Sequence, residues 1–297
     1  MTPSSNLRAI LAMVVSMGAF VASDSCMKLA MEHAPLFELM LMRGLVSLIV
    51  CLGLILAMGQ AASIPRMFDK WLVARGVLET IANLSFIFAL GFIAIADLTA
   101  IVQTCPLFVL LGAWAFRGER LGGARLVLIL LGIAGAMLVA QPGTGAVSPL
   151  ASLAFITAIA SAIRDLLTPN VPKGMPPLVA ALTVITVLTL TGLAGMLAVE
   201  TPIMPGTREV LLMIVSGTMA VAGHLLLYLT YRMGEARTVA PFMYTLTLWA
   251  VLSGLVIFGE VPNTLAIAGM VLVTLAGLAI IWMDGRQRKA EALAPAP

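Results

Sequence analysis

Charge is what this sequence has least of. Of its 297 residues only 10% are Asp, Glu, Lys or Arg, against roughly 25% in a soluble domain. That is too little polar surface to meet water on every side, so lipid is the expected solvent for most of the exterior. The net charge is only +3, and the basic residues sit between apolar runs. A pI of about 9.0 is therefore no sign of a nucleic-acid-binding face. Cysteine is scarce as well: Cys26, Cys51 and Cys105 each lie inside an apolar run, with no CxxC and no Cys/His cluster. Neither a disulfide scaffold nor a metal centre is expected, and buried apolar packing is the plain reading of all three. A Walker A loop, an HExxH pair, a nucleophile elbow and paired loop carboxylates are all missing. ATP drive by this chain, an organic cofactor and an integral membrane enzyme thus find no support in the motifs.

What is present is apolar. Hydrophobic residues make up 61% of the chain, and the mean hydropathy is +1.08. A membrane helix needs about 20 mostly apolar residues. Breaks at charge, Pro and Gly delimit ten such runs, at roughly 8–31, 36–58, 71–92, 97–116, 123–141, 149–168, 177–199, 209–231, 237–258 and 263–283, numbered here as spans 1 to 10. The runs are continuously apolar, without the alternation of a β-barrel strand. The first exceeds a signal-peptide core and contains Asp24 and Lys28, so it reads as a retained helix. Arg8, Arg66, Lys70, Arg117, Arg120, Arg125, Lys173, Arg232, Arg237, Arg286, Arg288 and Lys289 fall on one side of this topology, and little beyond Arg208 on the other. The positive-inside rule then places both termini in the cytoplasm.

The two halves echo one another. Gly118-Glu119 follows span 4, and Gly259-Glu260 follows span 9, an offset of 141 residues. The same offset aligns Asp24 with Asp165, Pro35 with Pro176, Gly76 with Gly217 and Thr104 with Thr245, and sets Asn83 against His224 and Gln103 against Tyr244. The halves are 8–141 and 149–283, with a tail at 284–297. Five spans per half is an odd number, so the second half enters the membrane inverted. The expected fold is all-α, ten transmembrane helices as two inverted five-helix repeats. Inverted repeats characterise secondary transporters, with the site near the midplane where the halves meet.

With Phe116-Arg117-Gly118-Glu119-Arg120 and Phe258-Gly259-Glu260-Val261 closing the two repeats, each followed by a Gly-containing helix (Gly132 and Gly135; Gly269 and Gly277), and with Lys28 and Arg43 in the first two spans, the chain resembles the drug/metabolite transporter superfamily in its ten-helix EamA-type branch. The resemblance covers nearly the whole chain and rests on the arrangement of degenerate motifs. It implies a basket of helices with spans 1, 3, 4, 6, 8 and 9 around a central cavity and spans 5 and 10 packed behind. It also implies traffic in amino acids, vitamins, nucleotide-like cofactors, metallophores or drugs at the bacterial inner membrane. Four-helix relatives carry a proton-coupling glutamate in mid-helix 1. This chain has Asp24 in the outer part of span 1 instead.

Ionisable residues within a span cost roughly 2.5–3.5 kcal/mol each on insertion scales, which makes them functional candidates. Asp24 and Lys28 stand one turn apart, in the favourable order for an i,i+4 pair, and read as a clamp or gate or as a self-satisfied interfacial pair. Asp165, beside Arg164, mirrors Asp24 near the other face. Arg75, Glu79 and Asn83 form a polar stripe on span 3. Glu79 is the candidate for proton coupling, unless Arg75 neutralises it. His224 and Tyr228 share a face of span 8. Gln103 with Thr104 on span 4, and Tyr244, Thr245 and Trp249 on span 9, are matched sets near Pro106 and Pro241. They suit either an amphipathic ligand or helix–helix hydrogen bonding. Arg43 in span 2 is expected to pair with Glu38 or Asp24, or to offer an anion site. Trp71, Trp114 and Trp282 read as interfacial anchors.

These features point to a secondary-active transporter of a small organic metabolite, vitamin- or cofactor-like or an amino acid, with riboflavin-like and S-adenosylmethionine-like compounds compatible. A drug or metallophore exporter of the same fold is the alternative, and a membrane enzyme or a non-transporting scaffold the alternatives of another class. Protons are the candidate coupling ion, the assembly is a monomer or homodimer, and nucleic acid is not an expected partner.

Overall fold

Backbone N–H and C=O groups in lipid must be satisfied within the protein, and this chain does so with helices. The structure, a computed structural model, describes residues 3–118, 122–141, 150–172, 174–201, 203–233 and 236–293. Ten helical segments are long and apolar enough to cross a membrane: Leu7–Ala30, Leu36–Ala57, Lys70–Leu90, Ile95–Phe116, Gly123–Ala140, Ala151–Asn170, Pro177–Val199, Thr207–Met233, Ala240–Phe258 and Thr264–Met283. They coincide with the ten expected spans to within about three residues. Among the described residues no strand occurs. Glu119, Arg120 and Lys173, read above as loop charges, lie outside the described residues, as does the expected start of the second half at 149.

Contacts between connections sort the loops into two ends. At one end, Lys28 meets Ile93 and Glu260, Phe37 meets Glu200, Glu38 meets Ile203, and Gln141 meets Asn263. At the other, which also holds the first helix's start and the last helix's close, Arg66 Nη1 donates to Gly174 O at 3.3 Å. We call these the far end and the terminal end.

The spans pack in a fixed set of pairs: 1 with 8, 2 with 7, 3 with 6, 4 with 9 and 5 with 10. Exchanging each span for the one five later returns the same set. Individual contacts follow the 141-residue offset. Ser16 Oγ donates to Gly223 O at 2.8 Å, and Thr157 Oγ1 donates to Ala82 O at 3.2 Å. Gly76 packs on Val187, and Gly217 on Val46. Ser25 and Ser253 share a hydroxyl bond at 2.6 Å, and at the offset positions Leu166 fills the space above Gly112.

Spans 4 and 9 are interrupted at matching places. Helix Ile95–Val102 stops and Cys105–Arg117 begins, while the 3-10 turn Ala240–Tyr244 leads into Thr245–Ser253. Thr104 Oγ1 donates back to Ile101 O, and Thr245 Oγ1 to Phe242 O, each at 2.6 Å. Proline lies at both breaks, Pro106 and Pro241, removing one helical N–H from each. The two helices also end alike: Gly118 and Gly259 adopt left-handed φ of 67° and 65°, the conformation glycine reaches without a Cβ penalty. Gly118→Ala or Gly259→Ala should each lower unfolding stability by about 1 kcal/mol, read from the unfolding midpoint in detergent.

Span 5 crosses span 10 at two glycines. A Cβ on Gly135 would stand 2.9 Å from Gly269 O, and one on Gly269 would press on Gly135 O. Small residues let two backbones approach this closely, and in lipid such packing takes the place of a hydrophobic drive.

Candidate functional site

The charged side chains inside the spans gather between the paired helices. Arg43 of span 2 meets Asp24 of span 1 at 3.6 Å. Arg164 of span 6 meets Glu79 of span 3 through Nη1 and Oε2, and binds its neighbour Asp165 through Nε and Oδ1 at 2.9 Å. The Arg164, Glu79, Arg43 and Asp24 side chains retain 22%, 18%, 17% and 21% of their surface. Each is thus partly buried, neither sealed in apolar packing nor fully exposed.

His224 on span 8 stands edge-on to Phe20 of span 1, with ring centroids 4.9 Å apart. Its Nδ1 is 2.8 Å from Ala220 O. Span 8 packs against spans 1 and 2, which carry Asp24 and Arg43. Four spans thus contribute three acids and two arginines, Asp24, Glu79 and Asp165 with Arg43 and Arg164, and the Phe20 and His224 rings meet where spans 1 and 8 pack. Arg43 Nη1 and Arg75 Nε are buried and have no hydrogen-bond partner within the described residues. These donors are available to a bound anionic group.

Two expected pairings do not form. Asp24 and Lys28 share a helical face, yet Asp24 turns to Arg43, while Lys28 Nζ donates to Glu260 Oε1 at 2.6 Å and to Ile93 O at 2.8 Å. The lysine sits one turn nearer the helix end, where a carboxylate and a free loop carbonyl outbid a partner on its own helix. Glu79 pairs with Arg164 rather than with Arg75 one turn before it, because span 6 packs directly against span 3. Of the two partners foreseen for Arg43, Asp24 is the one found. Glu38 instead accepts from Ile203 N at 3.0 Å.

The span 4 and span 9 residues serve largely as fasteners. Gln103 Nε2 donates to Thr247 Oγ1 at 3.2 Å. Thr104 and Thr245 cap their own helix breaks. Tyr244 is buried at 4% exposure with its hydroxyl against Gly277 of span 10. Trp249 packs on Gly18 of span 1 and donates from Nε1 to Val14 O at 3.0 Å. Tyr228 accepts from Arg232 Nη1 at 3.4 Å, with the guanidinium 5.7 Å from its ring. Asn83 is half-buried on span 3, one turn past Glu79. Asp165 also lies 3.9 Å from the Cys105 thiol.

Sequence reasoning passed over Arg164 as a pairing residue, Glu260, Asp97 and Phe20. Arg164 and Asp97 had the signal of an ionisable residue within an apolar run, and Glu260 was noticed only as a repeat marker. Glu260 also accepts from Ile95 N at 3.1 Å, and its charge acts on Asp97 together with that of Lys28. Lys28 and Glu260 thus tie the close of span 1, the 3–4 connection and the close of span 9 into one latch at the far end. Glu260→Gln should weaken it by about 1.5–3 kcal/mol, the usual worth of a hydrogen bond to a charged group. Hydrogen exchange at Ile95 N would report the loosening, and unchanged protection there would show the latch to be idle.

Residues 7–141 match the EamA-like transporter family. A riboflavin transporter of Rhizobium johnstonii is 28% identical over 218 residues, covering 73% of this chain and 72% of the relative. A pseudopaline exporter of Pseudomonas aeruginosa is 26% identical over 278 residues, covering 91% and 95%. An S-adenosylmethionine uptake transporter of Rickettsia bellii is 24% identical over 217 residues, covering 71% and 72%. A protein of known crystal structure shares the fold with a TM-score of 0.60 at 18% identity, over 97% of this chain and 99% of that one.

Proposed function

We propose that this chain, which belongs to the EamA-like transporter family of the drug/metabolite transporter superfamily, carries a small amphoteric or aromatic organic metabolite by alternating access. It is a multi-pass membrane protein of a transporter family, and its relatives bear transporter names rather than enzyme names. The bacterial inner membrane is the proposed location, with both termini cytoplasmic. The far end is then periplasmic.

The observation that carries the reading is the two ion pairs inside the spans, Asp24 with Arg43 and Glu79 with Arg164. Opposite charges held a short way apart suit a solute bearing both signs, and the adjacent Phe20 ring suits a planar one. The riboflavin and S-adenosylmethionine relatives make cofactor-like solutes the first candidates, and the pseudopaline relative supports export of a metallophore as the second reading. Alternating access is supported by the offset-related contacts, which give two equivalent ways to part the halves. The latch is one-sided. The positions that mirror Lys28 and Glu260 are Pro169 and Glu119, and a proline cannot supply the cation. The periplasmic gate is thus proposed to close on the Lys28–Glu260 pair, which the cytoplasmic end cannot repeat at the mirrored positions.

Purified protein in liposomes should exchange a labelled flavin, S-adenosyl compound or amino acid by counterflow without ATP. A broad ligand panel, with and without a pH gradient, decides among them. The absence of any solute-specific counterflow would overturn the proposal. Glu79→Gln should remove any dependence on the pH gradient, and a dependence that survives unchanged would make Glu79 structural.

A further inference from the structure

The two ion pairs inside the spans differ in how tightly they are tied. Arg164 donates to Glu79 and, through Nε at 2.9 Å, to Asp165, so its guanidinium is committed on two sides. Arg43 is not. Its Nη2 stands 3.6 Å from Asp24 Oδ1, beyond the roughly 2.7–3.2 Å of an N–H···O hydrogen bond. Its Nη1 is buried and has no hydrogen-bond partner among the described residues. A guanidinium has several donors and a carboxylate several acceptor sites, so the contact between Arg43 and Asp24 uses up neither. Lipid has no hydrogen bonds to give them.

The loose pair has no counterpart in the other half. The 141-residue offset repeats Asp24 as Asp165, but it sets Arg43 against Val184 and Arg164 against Ser23. The aspartate is thus repeated and its cation is not. Asp165 is hydrogen-bonded to its own chain neighbour, whereas Asp24 faces a cation on another span. The pair also lies beneath the far-end latch. Asp24 is one turn below Lys28 on span 1, and Arg43 is two turns into span 2 from the same end. One turn deeper on span 1, Phe20 meets His224 of span 8 edge-on at 4.9 Å, and spans 1 and 2 both pack on span 8.

Taking the chain as a carrier of small solutes, as proposed above, we infer that Asp24 and Arg43 form the subsite for an α-amino carboxylate, the zwitterionic head of an amino acid or of a larger solute that carries one. The carboxylate of the solute takes the unused donors of Arg43, and its ammonium takes the unused acceptors of Asp24. The two ion pairs then lie antiparallel, each charge beside two of the opposite sign. Binding therefore adds no net charge to the interior, where an uncompensated charge is costly. A solute with one sign of charge would strand one member of the pair. The buried Nη1 becomes reachable as the Lys28–Glu260 latch parts, and the rest of the solute extends toward Phe20 and His224. S-adenosylmethionine has such a head and is accepted. Riboflavin has none, and the subsite selects against it.

The test uses the full chain in detergent, titrated with S-adenosylmethionine and with the common amino acids, with binding read by calorimetry. Each compound that binds is compared with its carboxamide, which lacks the carboxylate, and its N-acetyl form, which lacks the ammonium. Both analogues should bind at least about tenfold more weakly, as loss of a hydrogen bond to a charged group implies. Arg43→Gln should erase the penalty for the carboxamide, and Asp24→Asn the penalty for the N-acetyl form. A merely structural pair would instead weaken all ligands alike and leave both penalties in place, which overturns the inference. Analogues that bind as well as their parents also overturn it. So does the failure of every α-amino compound to bind, and counterflow of riboflavin by the same preparation would then leave the transport reading standing. Intact penalties without counterflow of any solute would remove that reading and keep the subsite. The analogue series on the parental protein decides the matter if the variants do not fold.

Discussion

Arg164→Ala should be the most damaging single change at the centre of this protein, costing about 3–5 kcal/mol of folding stability and removing transport. Arg164 binds both Glu79 and Asp165. Its removal leaves two carboxylates facing one another inside the bundle. Breaking a buried pair from one side is far more costly than the pair's own net worth, because the remaining charge has lost its solvent and gained no partner. The distinguishing comparison is Arg164→Gln combined with Glu79→Gln. That double variant leaves only Asp165, whose side chain keeps 39% of its surface, without the arginine, and should recover much of the stability while transport stays impaired. Chemical unfolding in detergent and counterflow in liposomes give the two readouts. An Arg164→Ala protein that unfolds at the parental midpoint and transports at the parental rate would show the pair to be ornamental.

The second large effect is expected far from any charge. Gly269→Leu should destabilise the protein by about 3 kcal/mol, at the upper end of what overpacking usually costs. The atom in the way is the Gly135 carbonyl, with Gly135's own Cβ position only 2.9 Å from Gly269 O. Backbone cannot rotate aside as a side chain can, so spans 5 and 10 would have to separate along their length. Gly53→Leu is the control. Nothing beyond its own helix backbone and chain neighbours lies within 4 Å of where its Cβ would stand, and the change should be close to neutral, within about 0.5 kcal/mol. Equal losses at the two positions would mean that helix propensity, not the close crossing, is being measured.

These two sites differ in how far they could be read in advance. Gly269 and Gly135 were recognisable as close-packing residues, because glycine in a lipid-facing helix has few other uses. Their mutual contact was not, since nothing in the sequence says which faces of spans 5 and 10 meet. Glu79 stood out for the same reason as every intramembrane charge. Its partner did not. Arg75 lies one turn away on the same helix and Arg164 is 85 positions on, so local spacing pointed to the wrong arginine. Spacing was no better guide for Lys28, with Asp24 one turn behind it and its partner Glu260 232 positions on. Tyr244 at the break in span 9 mirrors Gln103 at the break in span 4, but the rotation of its helix turned it onto Gly277.

By itself, then, the sequence determined the solvent, the number of spans and the 141-residue offset. These follow from composition and run length, which act one helix at a time: a run of about 20 apolar residues is helical in lipid whatever its neighbours do. The tertiary structure alone decided which charges neutralise one another and where the latch forms. Those depend on the rotation of each helix about its axis and on the identity of the helix beside it. Hydrophobicity that runs all the way round a span carries no such information, because lipid and a neighbouring helix are equally apolar.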